Sequence, residues 1–409
     1  MTFKPNPAID DLLHASGFFT NPYPVYHQIR SEDPVYWSET WNCWILTRYA
    51  DVVAVLRDPR CFSSAGRITL FLNQLPEEAR ATLRPLDEHF SVQMVFQDPP
   101  DHTRLRGLVN KAFTSRVVEA IRPQIQTTVD VLLDAVQPSR QMDLIHDFAY
   151  PLPAITIAEM LGVPPEARDQ FKQWADDVVA FLGTGRAKLD VLDLGQRSVL
   201  ALTDWLRELI AQRRYSPKAD LLNLLIATEE QGDGLGEAEL IGICISLLTA
   251  GHETTTNLIG NGLLALLQHP AQRQQLQHNP DLIVTAVEEL LRYDSPVQRN
   301  WRVVKEELQL GGKQISRGQL VFAMLGAANR DPAQFPDPDR LDFHRRDNRH
   351  VAFGYGIHFC VGAPLARLEG QIAINTILRR LPGLRLANEA PVWLENMAFR
   401  GLKSLPVVF

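Results

Sequence analysis

Apolar residues recur at helical spacing from Val117 to Val136, Asp169 to Phe181, Gly195 to Arg214 and Pro280 to Tyr293, between proline and glycine breaks, and this predicts helices. A further helical pattern runs from Leu365 to Arg380. The longest run, Glu237 to Gln268, is apolar except for a polar interruption at Thr249 to Asn257. His252, Glu253 and the three threonines that follow would be costly in lipid, so this run predicts a helix crossing the core of a soluble protein. Alternation of period two is confined to two patches. Val35 to Ser38 with Trp41 to Thr47 predicts a β-hairpin, after which Ala50 to Leu56 turns helical before Arg57-Asp58-Pro59; Leu308 to Val321 predicts strands around the Gly311-Gly312 turn. The Gly183 to Gly195 stretch is loop-like and is expected to form a mobile cover. With no repeat, low-complexity tract or linker, residues 1–409 are expected to form one mainly α domain with small β-sheets.

Composition narrows the function without choosing it. The chain is 45% hydrophobic and 22% charged, with a formal charge of −7, which is ordinary for a globular protein and argues against a nucleic-acid binder. The first residues show neither a signal peptide nor a membrane anchor, so a cytoplasmic location is expected. Cys43, Cys61, Cys244 and Cys360 lie far apart, with no CxxC or zinc-like spacing, as in a reducing compartment.

The segment Phe353-Gly354-Tyr355-Gly356-Ile357-His358-Phe359-Cys360-Val361-Gly362 presents one thiol on a glycine-built loop. Glycines reach positive φ and let backbone approach a flat cofactor, while backbone N–H groups can point at sulfur. The helix that follows favours a thiolate at its N-terminus. The plain alternative is a buried free cysteine after a turn, the better reading for a residue such as Cys244.

In the long run, the Thr254 hydroxyl can return to the carbonyl of Ala250, and Gly251 weakens the helix further, so it is expected to open there and admit water. At about 100° per residue, Ile243, Leu247, Ala250 and Thr254 share a face; His252 falls roughly 200° round from Ala250 and is expected at the back. Glu289-Leu-Leu-Arg292 places an acid and a base i, i+3, which by itself suits a surface ion pair.

The spacing Phe-Gly-x-Gly-x-His-x-Cys-x-Gly resembles the haem-binding loop of the cytochrome P450 family. Ala250-Gly251-His252-Glu253-Thr254-Thr255 is similar to that family's oxygen-binding helix, and Glu289-Leu-Leu-Arg292 to its ExxR motif. The resemblance covers nearly the whole chain and implies a triangular, mainly helical domain with haem b between the Glu237 to Gln268 and Leu365 to Arg380 helices. It implies Cys360 as iron ligand, with Phe353, Gly354, Gly362, Ala250 and Gly251 against the cofactor. His102, Arg106, Arg302 and His358 match propionate-binding positions, Glu253 and Thr254 the proton-delivering pair, and Arg340 the arginine that completes a buried structural network with Glu289 and Arg292.

By the same resemblance the substrate pocket is lined from the Phe62 to Phe96 region, the Phe181 to Leu194 cover, Ile243, Leu247, Ala250, Val297, Gln298, Arg299, Asn300, Met397, Ala398 and Phe399. Arg299 and Asn300 are less apolar than the rest and suit either a polar substrate group or solvent. The implied activity is insertion of one atom of O2 into a hydrophobic small molecule of polyketide, terpenoid, peptide or fatty acyl type, with electrons from a ferredoxin or flavodoxin. The rivals are a haem-binding sensor or carrier without turnover and a peroxide-driven haem-thiolate enzyme; Glu253 and Thr254 argue against both.

Overall fold

The apolar run with the polar interruption forms one continuous helix, Glu237–Gln268, with the bounds its sequence pattern predicts. The Glu239 carboxylate accepts the backbone N–H of Gly236 (2.8 Å) at its start, and Pro270 begins the next helix at its end. It is buried on most sides because Pro151–Met160, Arg168–Gly183, Leu189–Tyr215, Ile283–Tyr293 and Ala363–Arg380 all pack against it. The computed structural model describes the chain except residues 1–6, 16, 184–187, 230–233 and 388–389. Among the described residues no helix is long and apolar enough to cross a membrane.

The strands are few and short. Val35–Ser38 pairs antiparallel with Cys43–Leu46, as the hairpin pattern predicts, and Cys43–Leu46 runs parallel to Leu320–Ala323. Asn300–Val304 follows antiparallel, and Phe62–Ser63 closes the edge of this five-stranded sheet. Leu308–Leu310 and Lys313–Ile315 form a separate hairpin around Gly311-Gly312.

Two expectations about helices are corrected. Val117 to Val136 is two helices, Ser115–Ala120 and Arg122–Val136, because Pro123 lacks the N–H that would continue the first. Of the Gly183 to Gly195 cover, residues 184–187 lie outside the described residues, and Leu189 to Gly195 opens the helix Leu189–Tyr215. Leu192, Gly195 and Val199 form its buried stripe, while Asp190 and Asp193 face water. Gly195 permits a close approach: a Cβ there would lie 3.1 Å from that of Phe181.

The approach to the cysteine loop is held by a buried ion network. Glu289 and Arg292 are both 0% exposed, and Arg292 donates twice to the carboxylate, through Nε and Nη2, at 2.8 Å each. The third member is Arg345, whose Nε lies 3.2 Å from Glu289 Oε2; this corrects the assignment of Arg340. Arg340 is exposed, in a turn closed by its N–H to Asp337 O, and contributes only a backbone carbonyl to Arg292. Asn348 Nδ2 and the Asp342 N–H also donate to Glu289, so one carboxylate pins the chain from residue 342 to 348.

Removing one partner of a buried pair leaves a charge without an answer. Arg345→Ala is therefore expected to cost about 3–5 kcal/mol, and Arg340→Ala about 0.5 kcal/mol or less. Urea denaturation of both variants checks this, and equal losses would contradict the assignment.

Candidate active site

The cysteine loop is built by two glycines and a short turn. Gly354 and Gly356 have φ of +74° and +72°, and Gly356 to His358 form one 3-10 turn before the chain reverses. A Cβ on Gly356 would lie 2.6 Å from the carbonyl oxygen of Leu56, so the loop presses against the end of the Tyr49–Arg57 helix. The Cys360 N–H donates to Phe353 O at 2.9 Å and closes the loop.

Behind Cys360 the helix Ala363–Arg380 begins, and the backbone N–H groups of Gly362 and Ala363 donate to the sulfur. These donors, with Arg106 and Arg367 nearby, favour a thiolate, as the sequence predicts. Burial opposes them and prevails, so the thiol pKa lies above its ordinary value. A cationic metal would supply the missing stabilisation.

The lining of this region is open where a core should be closed. Ala250, in the middle of the core helix, is exposed, and Gly251, Glu253 and Thr254 are half-buried beside it. Phe359 and Cys360 are exposed in the same way, although the sulfur lies deep enough for burial to dominate its pKa. A flat group between the core helix and the cysteine loop accounts for both open surfaces.

Arginines and histidines converge on the same loop, and the carboxylate that acts on them, Asp98, makes no ion pair with them but accepts from the Ser63 hydroxyl and the Ser64 N–H. The ring centroids of His102 and His358 are 4.1 Å apart, and His102, 2% exposed, has no hydrogen-bond partner at either ring nitrogen. Burial first, and then the charge of Arg302, pushes His358 down to about 2. Arg302 is itself lowered to about 10 by burial, and among the described residues its guanidinium donates only to Asn300 Oδ1 (2.7 Å) and Trp301 O (2.8 Å). Arg106 donates to Phe359 O at 2.7 Å.

Arg67 completes this cradle and was not found from the sequence. It is 3% exposed, donates to the carbonyls of Ser64, Val95 and Trp301, and burial holds its pKa well below the usual arginine range. A lone arginine at the start of the short helix Arg67–Leu72 carries no sequence signal that separates it from a surface charge. Neither Arg67 nor Arg302 has a carboxylate within ion-pair distance among the described residues. Haem, flat, iron-bearing and dianionic at its propionates, fits both the open lining and the unanswered cations.

On the opposite side, Thr254 Oγ1 donates to Ala250 O at 2.8 Å, as expected. The helix nevertheless stays continuous; the expected opening is absent because Thr249 and Thr256 also return their hydroxyls to carbonyls four residues back without breaking the backbone ladder. Asn257 Nδ2 donates to Glu253 at 3.0 Å, while burial raises the Glu253 pKa. His252 is structural, as its helical position predicts: it is 1% exposed, packs edge-on to Tyr150 at 4.3 Å, and is lowered to about 3 by burial.

Glu253 also borders a cavity of about 490 Å³ lined by Asp176, Tyr150, Lys172, His146 and Asn257. The Tyr150 hydroxyl donates to Asp176 at 2.7 Å, and burial raises the pKa of that carboxyl as well. Sequence spacing did not reveal this cluster, because its members come from three separate helical segments.

The expected pocket residues divide. Val297 bridges to Phe399, and Gln298 N–H donates to Ala398 O (2.8 Å), so the two lining segments meet. The Gln298 side chain, however, is buried against Tyr26 (3.0 Å) and Ser295 O (2.8 Å) and turned to the fold. Asn300 serves the cation cradle, its oxygen accepting from Arg302 at 2.7 Å and from Arg67 at 3.4 Å. Ile243 and Leu247 are buried on the core helix, and Met397 and Ala398 are half-buried.

The cytochrome P450 family model matches residues 201–383. A biotin-biosynthesis cytochrome P450 of Bacillus subtilis (strain 168) is 42% identical over 398 residues, covering 97% of this chain and 98% of that protein. The polyketide-biosynthesis cytochrome P450 PksS of the same organism is 40% identical over 409 residues, covering 96% and 97%. The crystal structure of P450BioI in complex with hexadec-9Z-enoic acid ligated acyl carrier protein matches with a TM-score of 0.89 at 42% identity, over 97% of this chain and 100% of that one.

The tightness of the cysteine loop can be measured. Gly356→Ala is expected to destabilise by about 1–3 kcal/mol and to lower haem content, since it combines positive φ with a backbone clash. Gly312→Ala, at φ +78° with open space around it, is expected to cost about 1 kcal/mol with haem content unchanged. Absorbance per mole of protein and urea melts of both variants decide the comparison.

Proposed function

The chain belongs to the cytochrome P450 family and is a haem-thiolate monooxygenase; from this premise we propose which of its residues carry the reaction and that its substrate is an acyl chain. When bound, the haem supplies the oxidising chemistry, activating O2 with two electrons and placing one oxygen atom in a C–H or C=C bond. Cys360 is the iron ligand. His102, Arg106, Arg302 and His358, with Arg67 behind them, hold the propionates. The observation that carries this assignment is the meeting of the cysteine loop with a cluster of arginines and histidines in which Arg67 and Arg302 have no ion-paired carboxylate among the described residues.

Thr254 and Glu253 are the proton-handling pair in this proposal. At rest the Thr254 hydroxyl proton is spent on Ala250 O, so its oxygen faces the site as an acceptor. Donating a proton requires it to release that carbonyl. Glu253, raised by burial, keeps its proton to higher pH than an exposed carboxylate, and the cavity shared with Asp176 and Tyr150 is the route by which that proton is replaced.

An acyl substrate is supported by P450BioI, whose crystal structure holds hexadec-9Z-enoic acid on an acyl carrier protein. A ferredoxin or flavodoxin is the proposed donor, docking on the Cys360 side near Lys111, Arg346 and Arg349. Lys111 and Arg346 are exposed, whereas Arg349 is paired with Asp347 and Arg104 with Glu239, so the first two carry most of the patch's free charge. A reducing, cytoplasmic setting is proposed in keeping with four free cysteines.

Two measurements test the residue roles. Cys360→Ser is expected to lose the red-shifted reduced carbon monoxide band, whereas Ser at Cys61 or Cys244 keeps it; a retained band would remove Cys360 as ligand. With surrogate ferredoxin and reductase, Thr254→Ala is expected to keep consuming NADPH while product falls and hydrogen peroxide rises. Glu253→Gln is expected to slow consumption and product together. Unchanged coupling in Thr254→Ala would confine that residue to shaping the helix.

A further inference from the structure

Arg299 is a half-buried cation that neither the fold nor the haem cradle accounts for. Its Nε donates to Met397 O at 3.2 Å, and its guanidinium lies 4.1 Å from the Phe322 ring centre and 6.0 Å from that of Trp41. Among the described residues its two terminal nitrogens have no protein acceptor and no carboxylate comes within ion-pair distance. The titratable groups that act on it are Cys43 and Tyr26, and burial raises both, so they stay neutral at physiological pH. Arg299, lowered by burial to about 10, stays charged.

Outside the haem cradle, where Arg67 and Arg302 also lack an ion-paired carboxylate, other buried arginines are answered. Arg292 has Glu289 at 2.8 Å, Arg330 has Asp339 at 2.7 Å, Arg213 has Asp220 at 3.0 Å and Arg400 has Asp294 at 2.5 Å. Arg299 instead keeps an unspent fork of donors, on a half-buried side chain between the two segments that meet at Val297 and Phe399. Holding a guanidinium largely out of water without an anion is unfavourable, and an anion with two acceptor oxygens matches the fork.

We propose that Arg299 is the counter-ion for the anionic end of the substrate: an oxyanion that is either the carboxylate of a free acyl chain or the phosphodiester of a carrier's phosphopantetheine arm. This rests on the acyl-substrate reading above. Arg299 sets which acyl compounds are held, by pairing with the end of the molecule remote from the oxidised carbon.

The test titrates the haem-loaded protein with hexadecanoic acid, its methyl ester, hexadecanoyl-pantetheine and hexadecanoyl-phosphopantetheine, following the haem spin state and, independently, binding heat. Wild type is expected to prefer the acid over the ester, or the phosphorylated over the unphosphorylated thioester, by about tenfold or more. The pair that shows the preference identifies the source of the anion. In Arg299→Gln the preference should vanish while the uncharged probes bind within about twofold of wild type; Arg299→Lys should retain part of it. Absence of a preference in wild type, its persistence in Arg299→Gln, or an equal loss for all probes in both variants would overturn the proposal, the last assigning Arg299 to holding the Met397 segment. If no probe gives heat or a spectral change in wild type, the acyl reading itself falls, and this proposal with it.

Discussion

A charge taken out of water has to be answered inside the protein, and that requirement governs the chain between Glu289 and Cys360. Glu289 collects Arg292, Arg345, Asn348 and the Asp342 N–H. Asn329 Oδ1, in turn, accepts the Val351 N–H at the entrance to the cysteine loop, and Arg292 reaches the Asn329 carbonyl. One buried carboxylate thus fixes a long irregular segment that has no helix or strand to hold it. The sulfur can be placed against a helix N-terminus only because the chain leading to it is already immobile.

Charge is managed in the opposite way at the cofactor edge. The arginines around Glu289 have their anion within the chain, whereas Arg67 and Arg302 share two neutral oxygens, the Asn300 amide oxygen and the Trp301 carbonyl. Lone pairs of carbonyls partly solvate them but do not neutralise them. The difference separates residues that stabilise the fold alone from residues whose stability depends on what is bound.

Local pattern made much of this legible. The core helix was marked by its apolar run, the loop by its glycines and single cysteine, and the Thr254 bond by the four-residue return that any helix allows. What failed depended on which side of a turn a side chain leaves. Arg340 and Arg345 are five residues apart in an irregular stretch, each in a turn of its own, closed on Asp337 O and Asp342 O, and the second points inward to Glu289. Gln298 and Asn300 sit in a segment next to the pocket, yet their amides are taken by Tyr26 and by the arginines. Arg67, Asp176 and Tyr150 acquire meaning only through residues distant in the chain, which no periodicity encodes.

The contact of Gly356 with the Leu56 carbonyl, and that of Arg106 with Phe359, joins parts of the chain that leave the ribosome far apart in time. At typical synthesis rates, roughly 10–50 s separate the emergence of Arg106 from that of Cys360. During that interval His102, Arg106 and Arg67 exist without the loop they serve. The cofactor pocket is therefore completed only late in synthesis, once the loop around Cys360 has joined the residues that wait for it.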